Sequence, residues 1–434
     1  MHSRPFLGRF FCAISLLLLG LESSAAKGQT ELSGQTMGTI GYSVKLDSLP
    51  AGLSRESAQA LVDRELDLVN RLMSTYRDDS DVSRFNHSPA SEWFPVAPET
   101  RDVVARALEF SQLTGGAFDV TVAPLVNLWH FGPEAGDRQA LPSQEEIDAA
   151  RNRVGFEKLH VQADPPALKK DDPALWVDLS AIAKGYAVDR VANALWSAGA
   201  RNFLVEVGGE VAVRGRKSPS VAWRIGIVWP VDDQLAMRDA AELADQAMAT
   251  SGDYRNFTIV DGKRYSHTID PQTGRPVTND LASASVIAPD CMSADAMATA
   301  VMVLGRERGG ELCAQLGYPL LAYQREGERF ALARSDDFPL VSANPVPAGN
   351  GVSIFIGSAV IFGLVVLAMA VGVIFGNLRI SGSCGGLANV KDEHGNVSCG
   401  LCTRPASECR DVKRWLTKPA MRDEPQQADF DHSN

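Results

Sequence analysis

Residues 291–305 read CMSADAMATAVMVLG, and their reading decides how the chain is folded. Ser293 is a good helix N-cap, and apolar residues then recur at helical spacing as far as Gly305. Asp295 and Thr299 are four residues apart, so they stand one above the other on one face of that helix. A carboxylate and a hydroxyl so placed make part of a hard-cation site suited to magnesium, which takes oxygen ligands. The same pattern also describes a capped core helix in which Asp295 only complements the positive end of the helix dipole.

The neighbouring segments are those of a mixed α/β body. Residues 283–288 read as a strand that feeds this helix, and residues 320–324 and 329–333 as strands that close the body. Residues 257–260 and 263–269 flank Asp261-Gly262 as a hairpin, with Tyr265, His267 and Ile269 on one face of its second strand. A lone histidine on a strand is more often structural than catalytic. Residues 201–213 form a second hairpin around Gly208-Gly209, with a spare carboxylate at Glu210, and residues 223–228 a further strand. Residues 176–186, WVDLSAIAKGY, pass from a strand into a helix that ends near Gly199. Such a turn presents unpaired amides and carbonyls for phosphate and metal contacts, and Asp178 is either part of that site or the N-cap.

Earlier in the chain, Met37-Gly38-Thr39 opens the body ahead of a short strand at 42–46. Residues 58–73 and 100–114 are amphipathic helices, the second closed by Gly115-Gly116. The first runs into the polar loop 74–80, which exposes Tyr76 for rim packing or for stacking on a flat aromatic ligand. Asp119 lies in the apolar segment 117–125, so it caps backbone amides or binds a ligand. Ser143 and Glu146 form a capping box that starts another helix.

The chain has 434 residues and a net charge of −11, with no long basic run, which argues against a general nucleic-acid binder. Residues 1–26 have the form of an export signal: Arg4 and Arg9, then an apolar run, then Ser24-Ala25-Ala26. Residues 341–353 read as a linker. The following 354–376 segment contains 22 consecutive apolar or small residues, 354–375. At ~1.5 Å per residue that run reaches ~33 Å, enough to cross a ~30 Å hydrocarbon core. Basic residues follow the span and none precede it in the linker, which puts the tail 377–434 in the cytoplasm and the body outside the inner membrane. Cys384, Cys399, Cys402 and Cys409 cluster in that tail as a thiolate set for iron or zinc, with disulfides as the other reading.

The body motifs together resemble the ApbE family, the FAD:protein FMN transferases. The matching pieces are TMGT at 36–39, MSTYRDDSDVSRFN at 73–86, GGAFDVTVAPLVNLW at 115–129 and VDLSAIAKGYAVDR at 177–190. They continue with VEVGGEV at 205–211, SGDY at 251–254, YSHTIDPQTGRPV at 265–277 and SADAMATAVMVLG at 293–305. The resemblance covers residues 30–335 and implies mixed α+β layers, FAD as substrate and a divalent metal, usually magnesium. It implies that Asp295, Thr299 and the Ala181 carbonyl hold the metal. Met37, Tyr76, Ala117, Phe118, Asp119, Asp178, Lys184 and Ile269 match places that contact FAD, and His267 the base that activates the acceptor hydroxyl; some relatives have an acidic residue where Lys184 stands. His267 and Asp295 are thus the expected catalytic pair. Residues 350–410 are similar to NqrM, a maturation factor of the sodium-pumping NADH:quinone reductase thought to supply iron. The implied activity is FMN transfer from FAD to a threonine or serine of a flavoprotein subunit of that pump. Two other readings stand beside it, an FAD pyrophosphatase that releases FMN and AMP, and a non-enzymatic flavin or metal carrier.

Overall fold

The computed structural model describes residues 29–342, apart from 90, 133–140, 231–236, 255, 261 and 328, together with 390–391 and 397–398. The chain divides into two units, residues 1–345 and 346–434. In the second, Val390–Lys391 and Val397–Ser398 pair antiparallel. The signal, the apolar span and the four tail cysteines lie outside the described residues. Among the described residues no helix is long and apolar enough to cross a membrane.

An eight-stranded antiparallel sheet organises the first unit. Its strands are Thr30–Thr36, Ile40–Leu46, Phe203–Val207, Glu210–Arg214, Ala247–Gly252, Leu281–Ala288, Leu320–Glu326 and Arg329–Arg334, and they lie side by side in chain order. Side chains of a strand alternate between faces. Val205, Val207 and Ala212 therefore face the core shared with helices Arg55–Met73, Pro98–Leu113, Ala183–Ser197 and Cys291–Leu316, whereas Leu204, Val211 and Val213 meet a second sheet. That three-stranded sheet comprises Trp223–Val228, Met237–Leu243 and Leu340–Ser342. Leu281–Ala288 is buried along its whole length because both of its faces are covered.

The amphipathic helices, the Phe203–Arg214 hairpin and the Ser143 capping box occur where periodicity and capping chemistry put them. Several local expectations are corrected. The body begins before Met37, since Thr30–Thr36 pairs with Ile40–Leu46 and Met37-Gly38-Thr39 is the hairpin turn. It also runs past residue 341, because Leu340–Ser342 pairs with Met237–Leu243. The N-cap of the Asp295 helix is Asp290, whose Oδ1 accepts from the Ser293 amide at 2.7 Å. The helix bends at Gly305 (φ 78°) and continues to Leu316, with Asn279 Nδ2 donating to the Met302 carbonyl at the bend at 2.8 Å.

No strand forms at 176–178, and the cap of the following helix is Ile182, not Asp178. The side chain of Asn86 takes the place of a neighbouring strand. Its Nδ2 donates to the Val177 carbonyl at 2.9 Å and its Oδ1 accepts from the Val177 amide at 2.8 Å. Buried Lys170 locks the same corner by donating to the carbonyls of Asn86, Pro173 and Leu175 at 2.7, 3.1 and 3.2 Å. The strand after residue 263 ends at Ser266, whose Oγ accepts from the Thr268 amide at 3.1 Å and turns the chain. His267 is therefore on a turn, not a strand.

Helices Ala183–Ser197 and Cys291–Leu316 approach closely at Gly185. A Cβ there would stand 2.3 Å from the Cys291 carbonyl oxygen and 2.8 Å from the Met292 Cα. Gly185→Ala is expected to lower unfolding stability in urea by about 2 kcal/mol or more, the order for overpacking against a part that cannot yield. Asn86→Leu, which leaves both backbone groups of Val177 unpaired, is expected to cost at least about 2 kcal/mol in the same measurement.

Candidate active site

A cavity of about 430 Å³ opens where the loop ends of these elements converge. Its wall includes Asp295 and Thr299 from the bent helix, and Ala181 and Lys184 from the start of the preceding one. It also includes Tyr76, Ala117, Phe118, Asp119, Asp178, His267 and Ile269. Eleven of the twelve residues expected at the body's site thus share one cavity. The twelfth, Met37, lines an adjoining cleft that also contains Tyr76, Asp178 and Lys184.

Asp295 is 2% exposed and Glu210 3%. Asp295 Oδ2 accepts from the Gly185 amide at 3.0 Å, a bond that the close helix approach makes possible. Lys184 Nζ donates to Glu210 Oε1 at 2.8 Å and lies 3.6 Å from Asp295 Oδ1. Burial alone would lower the lysine pKa, but the two carboxylates outweigh it and hold the ammonium charged well above its usual range. Burial pushes the Glu210 carboxyl up to about 7, against the pull of Lys184. Thr299 Oγ1 and Ser251 Oγ share a hydrogen bond of 3.1 Å beside them.

These residues fit a divalent cation. The donors are hard oxygens, and an ammonium already sits among them as a stand-in cation. Glu210 Oε2 is buried without a hydrogen-bond partner among the described residues. No cluster of three or more His, Cys, Asp or Glu side chains occurs among the described residues, so such an ion would rest on carboxylate, hydroxyl and carbonyl oxygens together.

His267 Nδ1 lies 3.0 Å from the Asn256 carbonyl. A carbonyl only accepts, so Nδ1 carries the proton and Nε2 keeps its lone pair. Burial lowers the pKa of the ring, and Phe131 stands edge-on against it at 6.3 Å. Burial thus favours the neutral imidazole.

Asp119 caps backbone amides and also lines the cavity. Its Oδ1 accepts from the Thr121 amide and hydroxyl at 2.8 and 2.7 Å, and its Oδ2 from the Phe156 amide at 3.0 Å. Burial raises the pKa of both Asp119 and Asp178, and Asp178 Oδ1 accepts from the Ser180 amide at 2.8 Å. Tyr76 is 77% exposed at the rim. Cys291 and Cys313 are buried free thiols. Sequence reasoning did not assign Ser251 or Glu210 to the site, although both lie in motifs it quoted. The glycines before Glu210 were the available signal, since they mark a tight turn that delivers a carboxylate.

The ApbE family profile matches residues 37–322. A Vibrio cholerae protein named FAD:protein FMN transferase is 46% identical over 323 residues, covering 74% of this chain and 95% of its own. An Escherichia coli K12 protein of the same name is 40% identical over 311 residues, covering 71% and 88%. The structure of the flavin transferase ApbE from Vibrio cholerae matches at TM-score 0.66 and 44% identity, over 71% of this chain and 98% of that one. The Pseudomonas stutzeri flavinyl transferase ApbE, in its apo form, matches at TM-score 0.64 and 39% identity, over 71% and 95%. With the same motifs gathered round one cavity, the chain belongs to the ApbE family.

Proposed function

We propose that this chain transfers FMN from FAD to a threonine or serine hydroxyl of a target protein through a phosphoester bond, with release of AMP. The reading is carried by one observation: the imidazole of His267 and the oxygen cluster of Asp295 with Thr299 line the same cavity. The names of the relatives support the transferase class. The acceptor oxygen attacks the FMN phosphorus, its proton passes to His267 Nε2, and the pyrophosphate bond breaks towards AMP. A magnesium ion held by Asp295, Thr299 and the Ala181 carbonyl would supply neutralisation of the charge that develops on the pyrophosphate. Met37, Tyr76, Ala117, Phe118, Asp119, Asp178, Lys184 and Ile269 bind and orient FAD.

The target is a flavoprotein subunit of the sodium-pumping NADH:quinone reductase. The apolar run at 354–375, the basic residues after it and the four tail cysteines support a maturation protein of the inner membrane, its body in the periplasm behind an export signal. The tail, 377–434, helps install iron from the cytoplasmic side through Cys384, Cys399, Cys402 and Cys409.

Incubation of that subunit with the full chain, FAD and magnesium is expected to add the mass of one FMN. Asp295→Ala should abolish the gain, and His267→Ala should slow it ~10²–10⁴-fold, the usual worth of a general base. AMP without a mass gain would identify a pyrophosphatase. FAD binding with no AMP and no gain on this or a second acceptor would identify a carrier.

The pH profile is a second check. Burial disfavours the imidazolium, so the acid limb of kcat/KM should fall below the ordinary histidine value of ~6.5. Phe131→Ala, which lets water reach the ring, should move that limb upward towards ~6.5.

A further inference from the structure

Two buried carboxylates, Asp295 and Glu210, face one ammonium, that of Lys184. With both acids ionised the cluster holds one more negative than positive charge in a place of low dielectric, where unmatched charge is costly. Lys184 does not sit evenly between its partners. It is hydrogen-bonded to Glu210 at 2.8 Å and only electrostatically engaged with Asp295 at 3.6 Å. Asp295 is held from behind by the Gly185 amide at 3.0 Å. Glu210 has its second oxygen buried without a hydrogen-bond partner among the described residues.

We propose that Lys184 is the resident counter-ion of the divalent-cation site and that Glu210 is a further anionic member of that site. A divalent ion that reaches Asp295 takes over the charge Lys184 now balances there, and the ammonium swings away on its flexible stem. The FAD pyrophosphate, an anion entering the same cavity, is where the released ammonium goes. Cation and FAD then bind with positive coupling: each removes Lys184 from the other's path. This inference rests on the reading of Asp295 as a divalent-cation ligand, but it concerns binding and not the transfer itself.

The test is titration of Mn²⁺ into the full-length protein without FAD, with free Mn²⁺ read by electron paramagnetic resonance and folding checked by thermal unfolding. Asp295→Ala defines the binding that belongs to this site. Lys184→Met and Lys184→Gln, which remove the competing cation, should each tighten that binding about tenfold or more. Glu210→Gln should weaken it about tenfold, and FAD should tighten wild type but not Lys184→Met. Unchanged or weaker Mn²⁺ binding in folded Lys184 variants would overturn the counter-ion role, and unchanged binding in Glu210→Gln would remove Glu210 from the site. If Asp295→Ala leaves the wild-type titration unaltered, the cation reading of Asp295 fails as well, which separates the two failures.

Discussion

The near-contact of two helices at Gly185 is the constraint on which the site depends. With any side chain there, the start of the Cys291–Leu316 helix would be pushed off the Ala183–Ser197 helix. The Gly185 amide could not then reach Asp295, and Lys184, one residue earlier, could not sit between Asp295 and Glu210. The contact is reinforced from one side by Asp189, whose carboxylate accepts from the Cys291 and Met292 amides at 2.9 and 2.8 Å. The first turn of one helix is thus partly capped by a side chain of the other. A packing contact and a charge cluster are set by the same few backbone atoms.

Much of the remaining wall of the cavity is built from loops, and these loops are held by side chain–backbone bonds where a ladder is absent. Asn86 serves Val177, Asp119 serves Thr121 and Phe156, and Ser266 serves Thr268. Each bond fixes one or two residues without extending a sheet over the opening. The result is a concave site with defined walls on a rigid frame, the usual arrangement where chemistry is carried by loops. His267 benefits directly, because the turn that ends its strand presents the ring to the cavity while the Asn256 carbonyl sets its tautomer.

Much of the frame was legible. Helical periodicity is a local signal, and it located the helices at 55–73, 98–113 and 183–197 to within a few residues. Strands Met237–Leu243 and Ala247–Gly252 escaped notice, since the first carries Arg238, Asp239 and Glu242 and the second is made of small residues with little alternation. Their strand state comes from neighbours that pair with them on both sides. The supposed strand at 176–178 failed for the complementary reason. Its composition suits a strand, but the backbone groups of Val177 are met by an asparagine 91 residues away in sequence, and Trp176 and Asp178 make only isolated pairings with Val122 and Val120.

By itself the sequence determined which residue types carry the chemistry and that Asp295 and Thr299 share a helix face, because a helix repeats with a period that can be read along the chain. It also carried the motifs that identify the family. Only the tertiary structure decided that Asp295 meets a backbone amide 110 residues earlier, that Lys184 bridges it to Glu210, and that Ser251 joins Thr299. These pairings follow from sheet register and from how closely two helices can approach, which are set by contacts between distant segments and leave no local period to read.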